Sequence, residues 1–191
     1  MLSTRTLTIT TAAAAGLLML AGCKSAGSTV STTAVSTTKA KATAAAAPAA
    51  VQKPAGLGAT IDVTDISGDK LAVTLVAVDP KTQATDGFST PDAGDSYYAT
   101  QIQIKDVGST AWSDAPSNCL VVKDGKGQEF QTTIVQSISS GPLMDDTVNL
   151  AAGGTSLGWV VYEVPTGDQI TQVQFTPDSG MGDDTAQWSL G

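Results

Sequence analysis

Two thiols, 18 carboxylates and no imidazole are the chemical stock of this 191-residue chain. The lack of histidine excludes a Ser-His-Asp or Cys-His nucleophilic site in the usual form, and with it a His-ligated zinc or copper centre. Thiol and carboxylate chemistry remain. Cys119 lies between Asn118 and Leu120, which offer no positive charge to stabilise a thiolate. It reads as a small hydrophobe on a buried strand. The pairs Asp145-Asp146 and Asp183-Asp184 do not suit glycosidic acid/base work, which needs carboxyls on opposite sides of a scissile bond. Calcium suits such residues better. Asp79, Asp86, Asp92 and Asp95, and the segment Asp178-Ser179-Gly180-Met181-Gly182-Asp183-Asp184, put oxygen ligands on glycine-bearing turns. Neither follows the EF-hand spacing. The expectation is acidic loops with at most a weak calcium site, no cofactor and no catalytic constellation. Gly153-Gly154-Thr155 lacks the lysine and helix of a phosphate loop and reads as the way into a β-hairpin.

The second thiol has a different setting. Met1 to Thr6 carries one basic residue, Arg5, and Leu7 to Leu20 is an uncharged, mostly apolar stretch of 14 residues. That length suits a signal peptide and falls short of the roughly 20 residues that span a bilayer. Leu20-Ala21-Gly22-Cys23 follows directly. Small residues let a chain enter a peptidase groove extended, and a thiol just after them can receive diacylglycerol. The four residues resemble the bacterial lipobox, which implies cleavage after Gly22 and lipidation of Cys23. Two acyl chains, at about 0.8 kcal/mol per buried methylene, hold a protein on a membrane stably where one does not.

Stepping from Cys23 along the chain, the composition changes twice. Residues 1–22 form the signal peptide, and 23–55 the lipidated cysteine with a Ser/Thr/Ala/Lys/Pro tether. That tether holds Lys24, Lys39, Lys41 and Lys53 and no acidic residue. It lacks apolar periodicity, so burial cannot offset the entropy of ordering it. Fully extended it spans at most ~100 Å, and as a flexible coil about 30 Å. Residues 56–191 are one domain, large enough for a core without staples. There five lysines face all 18 carboxylates, a formal charge of −13. Such a domain repels nucleic acid and anionic headgroups. With Cys23 lipidated, Cys119 has no intrachain partner, and the domain is not a disulfide scaffold.

Within the domain the apolar period is two. It predicts strands over Thr60–Ile66, Leu71–Ala77, Tyr97–Lys105, Cys119–Val122, Gln128–Thr133, Thr155–Val164, Ile170–Phe175 and Thr185–Leu190. Leu71, Val73, Leu75 and Ala77 form the inward set of the second strand. Asp124-Gly125 marks a hairpin, since Asp-Gly tolerates the positive φ of a tight turn. Along Thr155–Val164, Leu157, Trp159 and Val161 share one face and Val160, Tyr162 and Val164 the other, so both faces are covered. Asp79-Pro80 stops the second strand, and Lys81–Ser96 is a long loop. Seven or eight short strands without bridging helices predict an all-β antiparallel sandwich, with a closed barrel as the alternative.

Val73-Thr74-Leu75, the long loop into Tyr97-Tyr98-Ala99, the Asp-Gly hairpin and Gly158-Trp159-Val160-Val161-Tyr162-Glu163-Val164-Pro165 together resemble a secreted bacterial family. It is a family of unknown function that belongs with the immunoglobulin-like immunoprotective extracellular antigens of actinobacteria. The similarity runs roughly from Ala59 to Leu190. Lys105-Asp106-Val107-Gly108 departs from the family's Lys-Asn-Thr-Gly. The resemblance implies an immunoglobulin-like β-sandwich and carries over no catalytic or binding residue.

The expected function is a non-enzymatic module, anchored at the extracytoplasmic face and binding an envelope protein or glycan. Loops at strand ends do the binding in such folds, which points to Lys81–Ser96 and Gln136–Asn149. A small hydrolase using carboxylates alone is the alternative from another class. A sensor or accessory subunit of a membrane system is a third.

Overall fold

A computed structural model describes residues 55–191. The predicted cleavage point Gly22, the lipid-bearing Cys23 and the tether as far as Pro54 lie outside the described residues. Among the described residues no helix is long and apolar enough to cross a membrane.

Alternation builds the sheet. In β2 (Lys70–Asp79) Leu71, Val73 and Leu75 are wholly buried on one face. A bulge between Leu75 and Ala77 then shifts the register. The bulge overturns the sequence expectation for Ala77: it packs on the outer face, while Val78 turns to the main core. An extra residue in one strand reverses the parity of every side chain beyond it.

All eight predicted strands form: β1 (Thr60–Thr64), β2, β3 (Asp95–Asp106), β5 (Leu120–Asp124), β6 (Glu129–Thr133), β8 (Thr155–Pro165), β9 (Ile170–Phe175) and β10 (Ala186–Ser189). They make one antiparallel sheet in the order β1-β2-β3-β8-β6-β5-β9-β10. β6 is the corner, since Val121, Val122 and Lys123 pair with its first half and Tyr162 and Val161 with Thr132 and Thr133. The free edges nearly meet: Ala55 bridges Trp188, and Ser189 N–H donates to Ala55 O at 2.8 Å. The result is a barrel-like sandwich. Two strands were not expected, β4 (Trp112–Asp114) and β7 (Val148–Leu150), which pair with each other. Their Trp112, Val148 and Leu150 join the main core. Among the described residues the total is therefore ten, not seven or eight.

The core lies between the halves. Tyr162, Phe175 and Trp188 are its largest wholly buried side chains. Tyr98 meets Tyr162 edge to face, with centroids 6.4 Å apart. A second, smaller cluster of Tyr97, Ala99, Val135, Ile138, Trp159 and Val161 covers the outer face of β3 and β8. Coverage of both faces of β8 was legible in its sequence, although Leu157 is half exposed.

Two turns differ from expectation. In the β5–β6 hairpin the positive φ (84°) belongs to Gly127 and not to Gly125. Asp124 Oδ1 accepts from Lys126 N–H at 2.9 Å and Gln128 N–H at 2.7 Å, so the aspartate closes a longer loop than a two-residue turn. Gly153-Gly154 is no hairpin. It connects strands of different sheets, and Gly153 N–H donates to Asp106 O at 3.1 Å.

Candidate functional site

The residues singled out for chemistry are mostly consumed by structure. Cys119 is not on a strand but ends the short helix α1 (Pro116–Cys119). Its thiol is buried and donates to Asp114 Oδ2 at 3.1 Å. Burial, then the Asp114 carboxylate, pushes its pKa far above the ordinary thiol value. Asp114 also accepts from Ala115 N–H and from the N–H and hydroxyl of Ser179. Burial opposes its ionisation, but the bonds from Cys119, Ser179 and Ala115 prevail and hold it below the usual range. The three groups tie α1 to the 177–182 loop, where Asp178 and Ser179 adopt positive φ. A thiol so held resists alkylation. Iodoacetamide at pH 8 should leave the Cys119 peptide unmodified in the native chain and label it after unfolding; native labelling would refute the burial.

The acidic segments do not converge. Among the described residues no three His, Cys, Asp or Glu side chains form a metal-holding group. Asp178 Oδ2 accepts from Ile66 N–H at 2.9 Å and Asp184 Oδ2 from Thr64 N–H at 3.0 Å, fastening the C-terminal loop to the β1–β2 turn. Asp145 and Asp146 are exposed on a groove of about 380 Å³ that Met144 and Trp159 also line.

Asp79 and Asp86 serve the two loops expected to bind. Asp79 accepts from Lys81 N–H (2.9 Å) and the Ser140 hydroxyl (2.6 Å). Asp86 accepts from Phe88 N–H (3.0 Å), Ser89 N–H (2.8 Å), the Ser89 hydroxyl (2.6 Å) and Gln136 N–H (3.1 Å). Thr85 N–H donates to Ser137 O and Ser139 N–H to Gln83 O, both at 2.9 Å. The loops are thus zipped together over the outer face of β3 and β8. The Ser89 hydroxyl and N–H, helped by Phe88 and Gln136, hold the Asp86 carboxyl well below its ordinary value. A depressed carboxylate contributes stability above its unfolded pKa of about 3.9 and loses it as pH falls further. A carboxyl carbon NMR titration should place the Asp86 midpoint below about 3.9; a midpoint at or above that value would sever the staple.

Between the stapled loop and the β8–β9 turn lies a cavity of about 740 Å³. Pro80–Ala84 and Ser89–Pro91 form one wall, Thr166–Asp168 another, and Asp95–Tyr98 the floor. The size falls within the ~300–1,000 Å³ of ligand sites. Lys126 Nζ holds Asp168 Oδ1 at 2.8 Å, and Thr166 N–H donates to Gly94 O at 2.9 Å. Sequence reasoning found the loop but missed the Thr166–Asp168 wall. The pattern Asp86-Gly87-Phe88-Ser89, an aspartate with a serine three residues on, was a readable signal for the staple.

The description of a domain of unknown function, DUF4352, fits residues 57–186. The chain belongs to the DUF4352 family. This DUF4352 fold is shared, at 18% identity and a TM-score of 0.55, with MPT63, a secreted protein from Mycobacterium tuberculosis; the match covers 73% of this chain and 98% of that one. The yjhA protein from Bacillus subtilis is similar at 14% identity and a TM-score of 0.52, over 72% and 99% of the two chains. A candidate lipoprotein (ycdA) from Bacillus subtilis follows at 18% and 0.50, over 69% of this chain and 38% of its own. No curated protein matches the chain.

Proposed function

We propose that this DUF4352 chain is a non-enzymatic binding module, held at the extracytoplasmic face of the membrane by lipid on Cys23, and that it binds its ligand in the 740 Å³ cleft. The cleft carries this reading, because a cavity of ligand size opens between a stapled loop and a fixed turn. A carboxylate hydrolase finds less support: Asp168 is ion-paired with Lys126, and Asp145-Asp146 lie on a different groove. The location rests on the lipobox-like Leu20-Ala21-Gly22-Cys23. It agrees with the secreted and lipoprotein descriptions of two proteins sharing the fold. The formal −13 of the domain repels nucleic acid and favours an envelope protein or glycan as partner.

Two experiments test the halves separately. Cys23→Ser should abolish fatty-acid labelling and release the chain from the membrane fraction; unchanged partitioning would refute the anchor. Amide exchange of the full chain with solubilised envelope fractions should slow at residues 81–96 and 166–168. Protection elsewhere, or none, would refute the site.

A further inference from the structure

The two edges of β3 are not covered to the same extent. β8 accompanies it from Asp95 to Lys105, whereas the last pair with β2 is Ala99 with Asp79. The ladder stops there because Lys81 N–H, the next group that would meet Tyr97, is given to Asp79 Oδ1 at 2.9 Å. The bonds from Thr166 N–H to Gly94 O and from Asp106 N–H to Gly154 O show that even-numbered residues of β3 face β8. Odd-numbered residues face β2, as the bond from Val107 N–H to Lys70 O requires. Tyr97 therefore turns its N–H and C=O, and Asp95 its C=O, toward an edge that β2 has left. Among the described residues these three groups have no hydrogen-bond partner, while Asp95 N–H is given to Asp92 O at 3.0 Å. Tyr97 is only 6% exposed and lies on the floor of the cleft. Main-chain groups so far from water are nearly always paired.

We propose that the cleft takes an extended, non-acidic peptide segment of a partner protein as an added strand beside Asp95–Tyr98, an inference that rests on the cleft being the binding site. Strand addition supplies affinity through main-chain bonds and selectivity through alternate side chains. Charge selects the occupant. Asp95 lies in the cleft lining, and burial, then the negative charges of Glu163, Asp86 and Asp92, raise the pKa of Tyr97. Lys81 opposes them, and Lys126 neutralises Asp168. An acidic segment is repelled there, a basic one is drawn in, and a neutral one is not opposed.

The test uses the full chain, with short peptides rich in Lys, Thr and Val, matched peptides rich in Asp and Glu, and a neutral oligosaccharide. The basic peptides should slow exchange of the Tyr97 amide by about tenfold or more, and the acidic ones should not. N-methylation of alternate peptide residues should abolish binding in one phase and spare it in the other. Asp95→Asn should weaken the basic peptides with the fold intact. Protection of the cleft by the oligosaccharide alone overturns the peptide and keeps the site. A Tyr97 amide already protected in the free full chain overturns a partner peptide in favour of the chain's own N-terminal segment. If no probe alters the cleft, the site reading fails as well.

Discussion

Trp188→Ala should cost about 3–5 kcal/mol of stability, the range for emptying a buried aromatic site. At roughly 3 °C per kcal/mol for a domain of this size, the melting temperature should fall by about 10–15 °C. Trp188 is wholly buried and closes the barrel where its edges meet. Its Nε1–H donates to Ala59 O at 2.8 Å, its backbone bridges Ala55, and its neighbour Ser189 holds Ala55 O. Alanine opens a cavity and leaves the Ala59 carbonyl without its indole partner. Trp188→Phe keeps most of the volume and loses only that bond, so it should cost about 1–2 kcal/mol. Denaturant unfolding of the full chain followed by circular dichroism separates the two. Equal losses would assign the effect to the hydrogen bond, and a loss under about 1 kcal/mol for alanine would deny that Trp188 closes the edges.

Trp188 was legible as a strand residue, and its neighbours show where legibility stops. Period-two alternation located seven strands of the large sheet because each holds at least two inward apolar residues or an apolar run, whereas β6 has Phe130 alone and was located by the Asp-Gly turn before it. β4 and β7 are three residues long, and Trp112-Ser113-Asp114 and Val148-Asn149-Leu150 offer one alternation at most. A signal that short cannot be told from a loop. Ala77 was misplaced because nothing in Leu75-Val76-Ala77 announces a bulge. The cleft was legible in part: Asp79-Pro80 marks the end of a strand and the start of the loop. The open edge at Tyr97 was not, because it depends on which parity of β3 faces β2. That parity is set by pairings between residues far apart in the chain.

The carboxylates follow one rule that the sequence understated. Asp65, Asp79, Asp86, Asp106, Asp114 and Asp124 each accept backbone N–H groups within a few residues of themselves. These side chains build turns and are committed to the backbone they cap. Asp106 and Asp124 go further, for both are buried with Oδ2 unpartnered by any hydrogen bond. Lys126 stands 3.9 Å from the Asp124 oxygen. A third of the domain's 18 carboxylates is thus an outcome of how it turns corners.

Gly158→Ala should be the most disruptive single methyl in the domain, for a reason unrelated to φ. A Cβ there would lie 2.4 Å from Met144 Cα, 2.5 Å from Met144 N and 2.9 Å from Leu143 C. These are backbone atoms and cannot swing aside. The same stretch is bonded to β8 by Met144 N–H to Trp159 O at 2.8 Å and Trp159 N–H to Pro142 O at 3.0 Å. Relief of the clash requires breaking both, at the upper end of the overpacking range, about 3 kcal/mol. The segment that would lift runs on from Ile138, which packs with Trp159 and bridges Ala84, and from Ser139, whose N–H holds Gln83 in the wall of the cleft. The expected result is faster amide exchange at Met144 and Trp159, red-shifted tryptophan emission, and weaker protection of the cleft by its ligand. Gly125→Ala is the control, since its Cβ would meet only Thr171 Cγ2 at 3.6 Å; it should stay within about 0.5 kcal/mol of the wild type. If Gly158→Ala behaved like Gly125→Ala, the 142–144 segment would not rest on β8, and the loop zipper that shapes the cleft would have lost its footing.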